Sequence, residues 1–463
     1  MQKKSVWNTY NETQLTELEQ LAKDYRNFLN VGKTERECVK ETIRLAKANG
    51  YENLDDIIAR QDSLKAGDKV YAVNMNKEIA LFTIGSESLE KGMRILGAHI
   101  DSPRLDLKQN PLYEDSEMAL LDTHYYGGIK KYQWVTIPLA LHGVVAKKDG
   151  SVIEISIGEK EDDPVVCISD LLIHLAEKQM EKKASEVIEG EDLNVLIGNR
   201  PLTSDEDEEL KDGVSAYLLQ ILKEQYDMEE EDFLSAEIEV VPADRARDCG
   251  LDRSMILAYG QDDRICAYTS LVAMLEAGPQ EKTCCCLLVD KEEIGSVGAT
   301  GMQSAFFENT VAELMNCMGS FSELGLRRAL RNSKMLSSDV SAAFDPNFPS
   351  FFEKKNAAHF GHGLVLNKYT GSRGKSGSND ANAEYIGHLR RIFDDNGVAF
   401  QMSELGKVDM GGGGTIAYIC ALYGMEVIDS GVALLSMHAP MEISSKADIY
   451  EAKKGYLAFL KEA

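Results

Sequence analysis

The sequence predicts an α/β protein whose main domain is interrupted by an inserted β-rich domain. Its 463 residues exceed the roughly 250–300 residues at which a single hydrophobic core stops growing, so two domains are expected. Helical patterns alternate with short apolar strands in the first and last thirds, whereas the middle third carries short strands and hairpin-type turns. We therefore assign residues 1–104 and 251–463 to the α/β domain and residues 105–250 to the inserted domain.

The first part of the α/β domain begins with two predicted helices within residues 11–49. Asn11 or Thr13 can cap the first helix, and Gly50 can end the second. The segment KVYAVNMNKEIALFTIG follows as two strands around an Asn-Met-Asn-Lys turn, and RILGAHID is the next strand. That strand ends on polar residues, where open α/β sheets bind their ligands.

The inserted segment is predicted to contain strands in HGVVAKK and SVIEISIG, with a Lys-Asp-Gly turn between them. Acidic residues are dense between residues 181 and 232, in EVIEGED, SDEDEEL and EQYDMEEEDF. We interpret these runs as solvated loops and helix faces. A calcium loop would need an ordered ligand spacing and a turn glycine, which these runs lack.

After residue 251 the alternation of helices and strands returns. The predicted helices are RICAYTSLVAMLEAG, MQSAFFENTVAELMNCM, NAEYIGHLRRIFDDNG, GTIAYICALYG and DIYEAKKGYLAFLKEA. The predicted strands are CCCLLVD, a strand ending in RNSKMLSSDVS, GLVLNK, and a final strand within VIDSGVALLSMHAP. The consecutive cysteines are interpreted as small buried side chains, because successive strand residues face opposite sides and cannot converge on one metal ion.

The composition is typical of a folded, soluble protein, and the charge argues against two classes of partner. A formal net charge of −26 repels phosphate backbones and anionic membranes, so we expect no nucleic-acid partner. No run of about 18 apolar residues is present to span a bilayer, and no apolar stretch follows the early basic residues as a signal peptide requires. We expect a cytoplasmic protein with reduced cysteines.

Residues of metal-ligand type fall at the ends of predicted strands or at the start of a helix. They are His99, Asp262, Glu293, Asp339 and His438. Each of them alone has a simpler interpretation, since an aspartate before a helix is more often its N-cap and a single histidine is more often a hydrogen-bonded residue. Their recurrence at equivalent positions favours a shared site, because strand ends of an α/β sheet meet at one crevice.

Two histidines and three carboxylates can hold a pair of divalent metal ions. In this arrangement Asp262 bridges the ions, His99 and His438 each bind one ion, and Glu293 and Asp339 complete the ligand sets. Nitrogen and oxygen ligands without thiolate suit zinc, with cobalt or manganese as alternatives.

Two further acidic residues adjoin these ligands. Asp101 follows His99 at the strand end, where a turn of the chain would let its carboxylate orient the imidazole. Glu292 directly precedes Glu293 and can act as the general base for an activated water.

Several segments together resemble one enzyme family. GAHIDSPRLDL, QDDR, DKEEIGSVGATG, SSDVSAAFDPN, DMGGGGTIAYI and SMHAPMEISSKADI are similar, in order and over nearly the whole chain, to signature segments of the aminopeptidase I/aspartyl aminopeptidase family of dinuclear zinc exopeptidases. The resemblance implies a zinc-exopeptidase-like three-layer α/β/α catalytic domain, an inserted β-rich dimerisation domain and a tetrahedral dodecamer. It also implies zinc binding by the five residues named above, with Glu292 as the catalytic base and Asp101 as a catalytic residue behind the ligands.

The resemblance also points to residues near the substrate. Relatives place a histidine of the partner chain in the active site, and the segment ISDLLIHLAEK makes His174 the candidate; the alternative is a histidine packed in an interface. Lys368 could contact an acidic end of the substrate, and the glycines of DMGGGGTIAY would line its pocket. Two positions depart from the family: Asp263 replaces a common asparagine, and Ala342 replaces a histidine carried by members that favour acidic amino-terminal residues.

These observations predict a metal-dependent aminopeptidase that removes the amino-terminal residue of peptides. Ala342 weakens the case for acidic amino-terminal residues and leaves neutral ones such as Leu or Met open. Two alternatives remain, namely a related dinuclear dipeptidase or deacylase, and a non-catalytic shell-forming homologue. Retention of Glu292 beside a full ligand set argues against the shell, because a scaffold has no need of a base.

Overall fold

The computed structural model describes residues 5–202, 212–371 and 375–463. The chain comprises two compact units. The first comprises Met1–Asp101, Ala246–Met437 and Glu442–Ala463, and the second comprises Ser102–Arg245 and His438–Met441. The boundaries expected after residues 104 and 250 fall near these divisions, while the short segment His438–Met441 has no counterpart in the sequence-based division.

Several helices begin at residues that satisfy their first backbone N–H groups. The Asn11 side chain accepts from the N–H of Gln14 while the Gln14 side chain accepts from the N–H of Asn11, and Thr34 and Glu37 form the same reciprocal pair. The helices in chain order are α1 (Glu12–Val31), α2 (Glu35–Ala48), α3 (Leu54–Arg60), α4 (Glu177–Met180), α5 (Gly213–Tyr226), α6 (Gln261–Ala277), α7 (Phe306–Cys317), α8 (Glu323–Arg331), α9 (Ala383–Asp395), α10 (Ala417–Ala421) and α11 (Lys446–Glu462).

The strands of the first unit before the insertion are β1 (Glu52–Asn53), β2 (Lys69–Asn74), β3 (Glu78–Thr83) and β4 (Arg94–His99). Those of the second unit are β5 (Arg104–Asp115), β6 (Met118–Tyr126), β7 (Leu139–Ala146), β8 (Val152–Ile157), β9 (Val195–Gly198) and β10 (Ala236–Pro242). The first unit resumes with β11 (Arg247–Cys249), β12 (Met255–Ala258), β13 (Cys284–Val289), β14 (Lys334–Ser337), β15 (Ser341–Ala342), β16 (Leu364–Asn367), β17 (Phe400–Met402), β18 (Glu426–Gly431), β19 (Ala433–Leu435) and β20 (Glu442–Ser445).

A nine-stranded mixed sheet forms the centre of the first unit, in the order β1-β2-β3-β13-β4-β14-β18-β16-β17. Its four central strands β13, β4, β14 and β18 run parallel to one another. Side chains of α1, α2, α6, α9 and α11 pack on one face of the sheet, and side chains of α3, α7, α8 and α10 pack on the other. Because alternate strand residues supply the two cores, the unit has the expected three-layer α/β/α architecture.

The sequence analysis missed part of the first unit. The segment VIDSGVALLSMHAP was predicted as one final strand, but it forms β18 in the nine-stranded sheet and β19 in a second sheet, with β20 following. This second sheet has the order β11-β12-β20-β19-β15. The single-strand prediction was wrong because one apolar run supplies two different sheets, a change of partner that local hydrophobicity does not encode. Helix α8 was also not predicted.

The second unit is built on a six-stranded antiparallel sheet in the order β8-β7-β10-β5-β6-β9. The predicted hairpin of HGVVAKK and SVIEISIG forms β7 and β8. The acidic segment SDEDEEL lies outside the described residues, whereas Glu189 and Glu191 are exposed as expected. Within the ranges that the structure describes, no helix has the length and apolar character needed to cross a membrane.

Candidate metal centre

Four of the predicted site residues lie at or just beyond the carboxyl ends of three central strands of the nine-stranded sheet. His99 is the last residue of β4 and pairs in register with Val289, the last residue of β13. Glu292 and Glu293 follow β13 after a short turn, and Asp339 lies two residues beyond β14. Since β13, β4 and β14 are parallel neighbours, their carboxyl ends lie side by side.

Asp262 approaches from the first turn of α6, where its backbone departs from helical geometry and the Asp262–Asp263 peptide bond is cis. Its N–H donates to Glu442 Oε2 at 3.1 Å, and the Gln261 side chain donates to the carbonyl of Glu442 at 2.7 Å. Glu442 is buried in β20. It is a positioning residue that the sequence analysis did not single out, although it lies within the segment SMHAPMEISSKADI.

The candidate ligands form two groups that share Asp262. His99, Asp262 and Asp339 offer ligand atoms within 4.8 Å of one another, and so do Asp262, Glu293 and His438. His99 Nε2 lies 3.2 Å from Asp262 Oδ1 and 4.0 Å from Asp339 Oδ1. The structure thus brings together the five residues expected to bind metal, in an arrangement consistent with a dinuclear site.

Asp101 contacts the ligand His99 and the turn that carries Glu292 and Glu293. Its Oδ1 lies 3.2 Å from His99 Nδ1, and its two carboxylate oxygens accept the backbone N–H groups of Glu292 and Glu293, each at 3.2 Å. A proton on Nδ1 leaves His99 Nε2 to face the carboxylates, as a metal-binding histidine requires. Burial lowers the pKa of His99, but hydrogen bonds to Asp101 and Asp262 outweigh burial and raise it well above its usual range.

The electrostatics of the centre favour cations. Burial raises the pKa of Asp339 well above its usual range, and the charge of Asp263 raises it further. Burial likewise raises the pKa of Asp263, with the charge of Asp262 adding to it. Closely packed carboxylates of this kind are stabilised by divalent ions, and the nitrogen and oxygen donors present fit zinc.

Glu292 lies beside the ligands but is a member of neither group. Its Oε2 is 4.0 Å from His99 Nε2, and its side chain is 16% exposed. A carboxylate at this distance can contact a water molecule between the ligand groups while leaving the metal positions to its neighbours.

The two remaining predicted residues lie outside both ligand groups. His174 belongs to an exposed turn, Ile173–Leu175, in the second unit. Lys368 is exposed and directly follows β16. Neither position by itself indicates a contact with substrate.

A hydrogen-bonded connection next to Glu292 was also missed by the sequence analysis. Gln303 Nε2 donates to the carbonyl of Gly295, which ends the turn of Glu292, and to the hydroxyl of Tyr418 on α10. The start of α10 is held in turn by Thr415, whose hydroxyl donates to the buried Asp429 at 2.5 Å. These contacts join residues that are far apart in sequence, and only the glycines preceding Thr415 gave a local signal.

Comparison with known proteins identifies the family. The family described as aminopeptidase I zinc metalloprotease (M18) matches residues 28–460. A curated relative from Clostridium acetobutylicum, named “Probable M18 family aminopeptidase 1”, is 63% identical over 457 residues, covering 99% of this chain and 98% of the relative. A relative of the same name from Thermotoga maritima is 47% identical over 467 residues, covering 100% and 99%.

Solved structures agree with this assignment. A crystal structure of an M18 family aminopeptidase from Thermotoga maritima matches with a TM-score of 0.94 at 46% identity, covering 100% of both chains. The crystal structure of aminopeptidase I from Clostridium acetobutylicum matches with a TM-score of 0.92 at 62% identity, again covering 100% of both. The predicted fold class and family are confirmed, and the chain belongs to the M18 family of aminopeptidase I zinc metalloproteases, which are hydrolases of peptide bonds.

Proposed function

We propose that this aminopeptidase cleaves the first peptide bond of small peptides with Glu292 as its general base. The observation that carries the proposal is the position of Glu292 beside two ligand groups that share Asp262. When bound, a pair of zinc ions polarises the scissile carbonyl and lowers the pKa of the attacking water. Glu292 removes the proton from that water and returns it to the leaving amine, while Asp101 keeps His99 and the Glu292–Glu293 backbone in place.

Glu292→Gln tests this role, because it keeps the shape of the side chain but removes the base. We expect turnover of an aminoacyl-anilide to fall by about 10²–10⁴-fold with zinc content unchanged. Glu308→Gln on α7 is the matched control and should retain full activity. Full activity of Glu292→Gln would contradict the mechanism, and hydrolysis of amino-blocked substrates would favour a deacylase.

We also propose a preference for neutral amino-terminal residues. The support is Ala342 in β15, whose methyl group offers no charge to an acidic substrate. A panel of leucyl, methionyl, aspartyl and glutamyl anilides would give higher kcat/KM for the first two. A higher kcat/KM for the aspartyl and glutamyl anilides would contradict this proposal and favour a contact between Lys368 and an acidic substrate.

We infer that the chain forms a homo-oligomer, with dimers assembled into a tetrahedral dodecamer. The support is an exposed apolar segment of the second unit, where Leu172, Ile173 and Leu175 are 54%, 69% and 67% exposed; such patches are typical of interfaces. A solved structure of S. cerevisiae mApe1, 20% identical, is described as a dodecamer. Light scattering should give twelve times the 51.2 kDa chain mass, and a monomer would refute the assembly.

Within that assembly, we propose that His174 of one chain enters the active site of another. His174 lies in the centre of the exposed apolar turn. The test is to mix two impaired variants, His174→Ala and Glu292→Gln, under conditions that exchange subunits. A mixed dimer would contain one site with both residues intact, so activity should recover; no recovery would mean that His174 acts within its own chain or has no catalytic role.

We further infer a cytoplasmic location. All nine cysteines are free thiols, and several are buried in strands, which suits a reducing compartment. Cell fractionation would test this, and recovery of the protein outside the cytoplasm would contradict it.

A further inference from the structure

A cluster of basic side chains lies at the amino-terminal ends of the same central strands whose carboxyl ends carry the metal centre. Arg94 and Lys334 are the first residues of β4 and β14 and pair in register. On the other side of β4, Arg94 pairs with Cys284, the first residue of β13. Lys282 lies two residues before Cys284. Two neighbouring parallel strands therefore begin with a cation, and a third cation lies just before β13.

These side chains project from the same face of the sheet. Leu96, Leu336 and Cys286 belong to the core shared with α9 and α11. Side chains alternate along a strand, so Arg94 and Lys334, which lie two residues before Leu96 and Leu336, face this layer. Lys282 lies near them, since its charge and that of Arg94 both act on Lys334. Arg94 is anchored there, since it donates to the backbone oxygens of Leu460 and Ala463 at 2.8 and 2.6 Å.

Helix α9 adds two more groups to this cluster. The Tyr385 hydroxyl donates to the carbonyl of Met335, next to Lys334, and places this face of α9 over the start of β14. His388 follows one turn later, and its Nδ1 accepts from the Arg391 guanidinium at 3.0 Å. Nδ1 is therefore the unprotonated nitrogen, and the proton is on Nε2. His388 Nε2 is buried and has no hydrogen-bond partner among the described residues.

The positive charges of the two lysines in the cluster are not neutralised by ion pairs. In the described ranges, neither Lys282 nor Lys334 forms a salt bridge. Two nearby carboxylates have other partners, since Glu87 pairs with Lys91 at 2.8 Å and Glu426 accepts from Asn382 at 3.1 Å. Burial followed by neighbouring positive charge lowers the pKa values of Lys282, Lys334 and His388.

We propose that Arg94, Lys282, Lys334, His388 and Arg391 form a binding site for a phosphate-class oxyanion, either free phosphate or the phosphoryl group of a small metabolite. Such an anion can accept from the buried Nε2–H of His388 and neutralise the lysines, which are half-buried and open to solvent. Arg391 is exposed at its rim. Binding would stabilise the contact between α9 and the sheet by mass action.

The experiment compares thermal unfolding of the zinc-loaded enzyme in phosphate and in chloride at equal ionic strength. We expect the midpoint to rise with the logarithm of the phosphate concentration. Lys282→Gln/Lys334→Gln should weaken phosphate binding by at least about tenfold, and in chloride its midpoint should equal or exceed that of the parent, because repulsion is relieved. Lys282→Arg/Lys334→Arg keeps the charges and should keep the response.

Two controls distinguish phosphate binding at this cluster from phosphate binding elsewhere on the protein. Lys148→Gln removes an exposed lysine of the second unit that pairs with Glu231 at 2.6 Å and should leave the phosphate response intact. Phosphate bound at the metal centre would shift the double glutamine variant as much as the parent, and that result would overturn the proposal. Absence of a phosphate-specific shift in the parent would do the same. A phosphomonoester that outperforms phosphate would identify the metabolite form.

Discussion

The carboxylate of Asp101 accepts the backbone N–H of Glu293 at 3.2 Å. The same carboxylate lies 3.2 Å from His99 Nδ1, so one side chain fixes the last residue of β4 and a residue that follows β13. A displacement of Asp101 would therefore move a histidine ligand and the turn of the general base together. This coupling explains why the buried aspartate at this strand end is a positioning residue as well as an electrostatic partner.

Asp101→Asn should lower kcat or zinc affinity by about 10–100-fold. The asparagine keeps the volume, but it cannot stabilise positive charge on the imidazole and accepts through only one of its two side-chain atoms. Kinetics together with measured zinc content would separate the two effects. Asp62→Asn, at an exposed aspartate that pairs with Arg60, is the control. Unchanged kinetics and metal content in Asp101→Asn would mean that the backbone alone holds the turn.

Asp263→Asn should stabilise the metal-free protein. Burial and the charge of Asp262 raise the pKa of Asp263, so without metal this side chain destabilises the folded protein, either through charge repulsion when it is ionised or through the proton that it must take up. Replacing it with a neutral amide of equal size should raise the free energy of unfolding by about 1–3 kcal/mol. The measurement is thermal unfolding in chelator, compared with unfolding in zinc, where metal charge offsets the repulsion and the gain should be smaller. A destabilised metal-free variant would show that Asp263 is needed for structure.

Local sequence patterns could predict much of the centre, because strand ends in a parallel sheet meet at one edge. That rule places His99, Glu293 and Asp339 together without any knowledge of strand order. It could not find Glu442, since the contact of Glu442 with Asp262 spans 180 positions and depends on β20, a four-residue strand, EISS, that carries no apolar run. Helix α8 was missed although Ser322 caps it, because its Gly325 weakens the helical pattern.

Thr415→Val should lower kcat/KM about tenfold while zinc content is unchanged. The substitution removes the hydroxyl that donates to the buried Asp429 at 2.5 Å, and leaving a buried polar group without its partner typically costs about 1–3 kcal/mol. The start of α10 would shift, and through Tyr418 and Gln303 the turn bearing Glu292 would shift with it.

The conservative variant Thr415→Ser retains the hydroxyl and should restore most of the activity. Thr310→Val provides the matched control, because Thr310 donates only to the carbonyl of Phe306 on its own helix. Equal activity losses in Thr415→Val and Thr310→Val would indicate a general effect on stability. A normal kcat/KM in Thr415→Val would show that α10 does not position the base.

Asp448 should make stability depend on pH near neutrality, away from the metal centre. Burial raises the pKa of Asp448 to about 7, although its carboxylate accepts the N–H groups of Gly361 and Gly363 at 2.9 and 2.7 Å. The folded protein therefore keeps a proton between about pH 4 and 7 that the unfolded chain releases near its ordinary pKa of about 3.9. Stability must then fall as pH rises through this window, by at most about 1.4 kcal/mol per pH unit for one group.

Asp448→Asn removes the titrating group and should flatten this decline. The measurement is the free energy of unfolding in urea, for the zinc-loaded variant and parent at several pH values between 5 and 8. The contributions of other buried acids cancel in the difference between the two proteins. Asp395→Asn, at an exposed position of α9, should keep the slope of the parent. If Asp448→Asn declined with pH as steeply as the parent, Asp448 would have to be ionised in the folded protein across this range, with the N–H groups of Gly361 and Gly363 offsetting its burial.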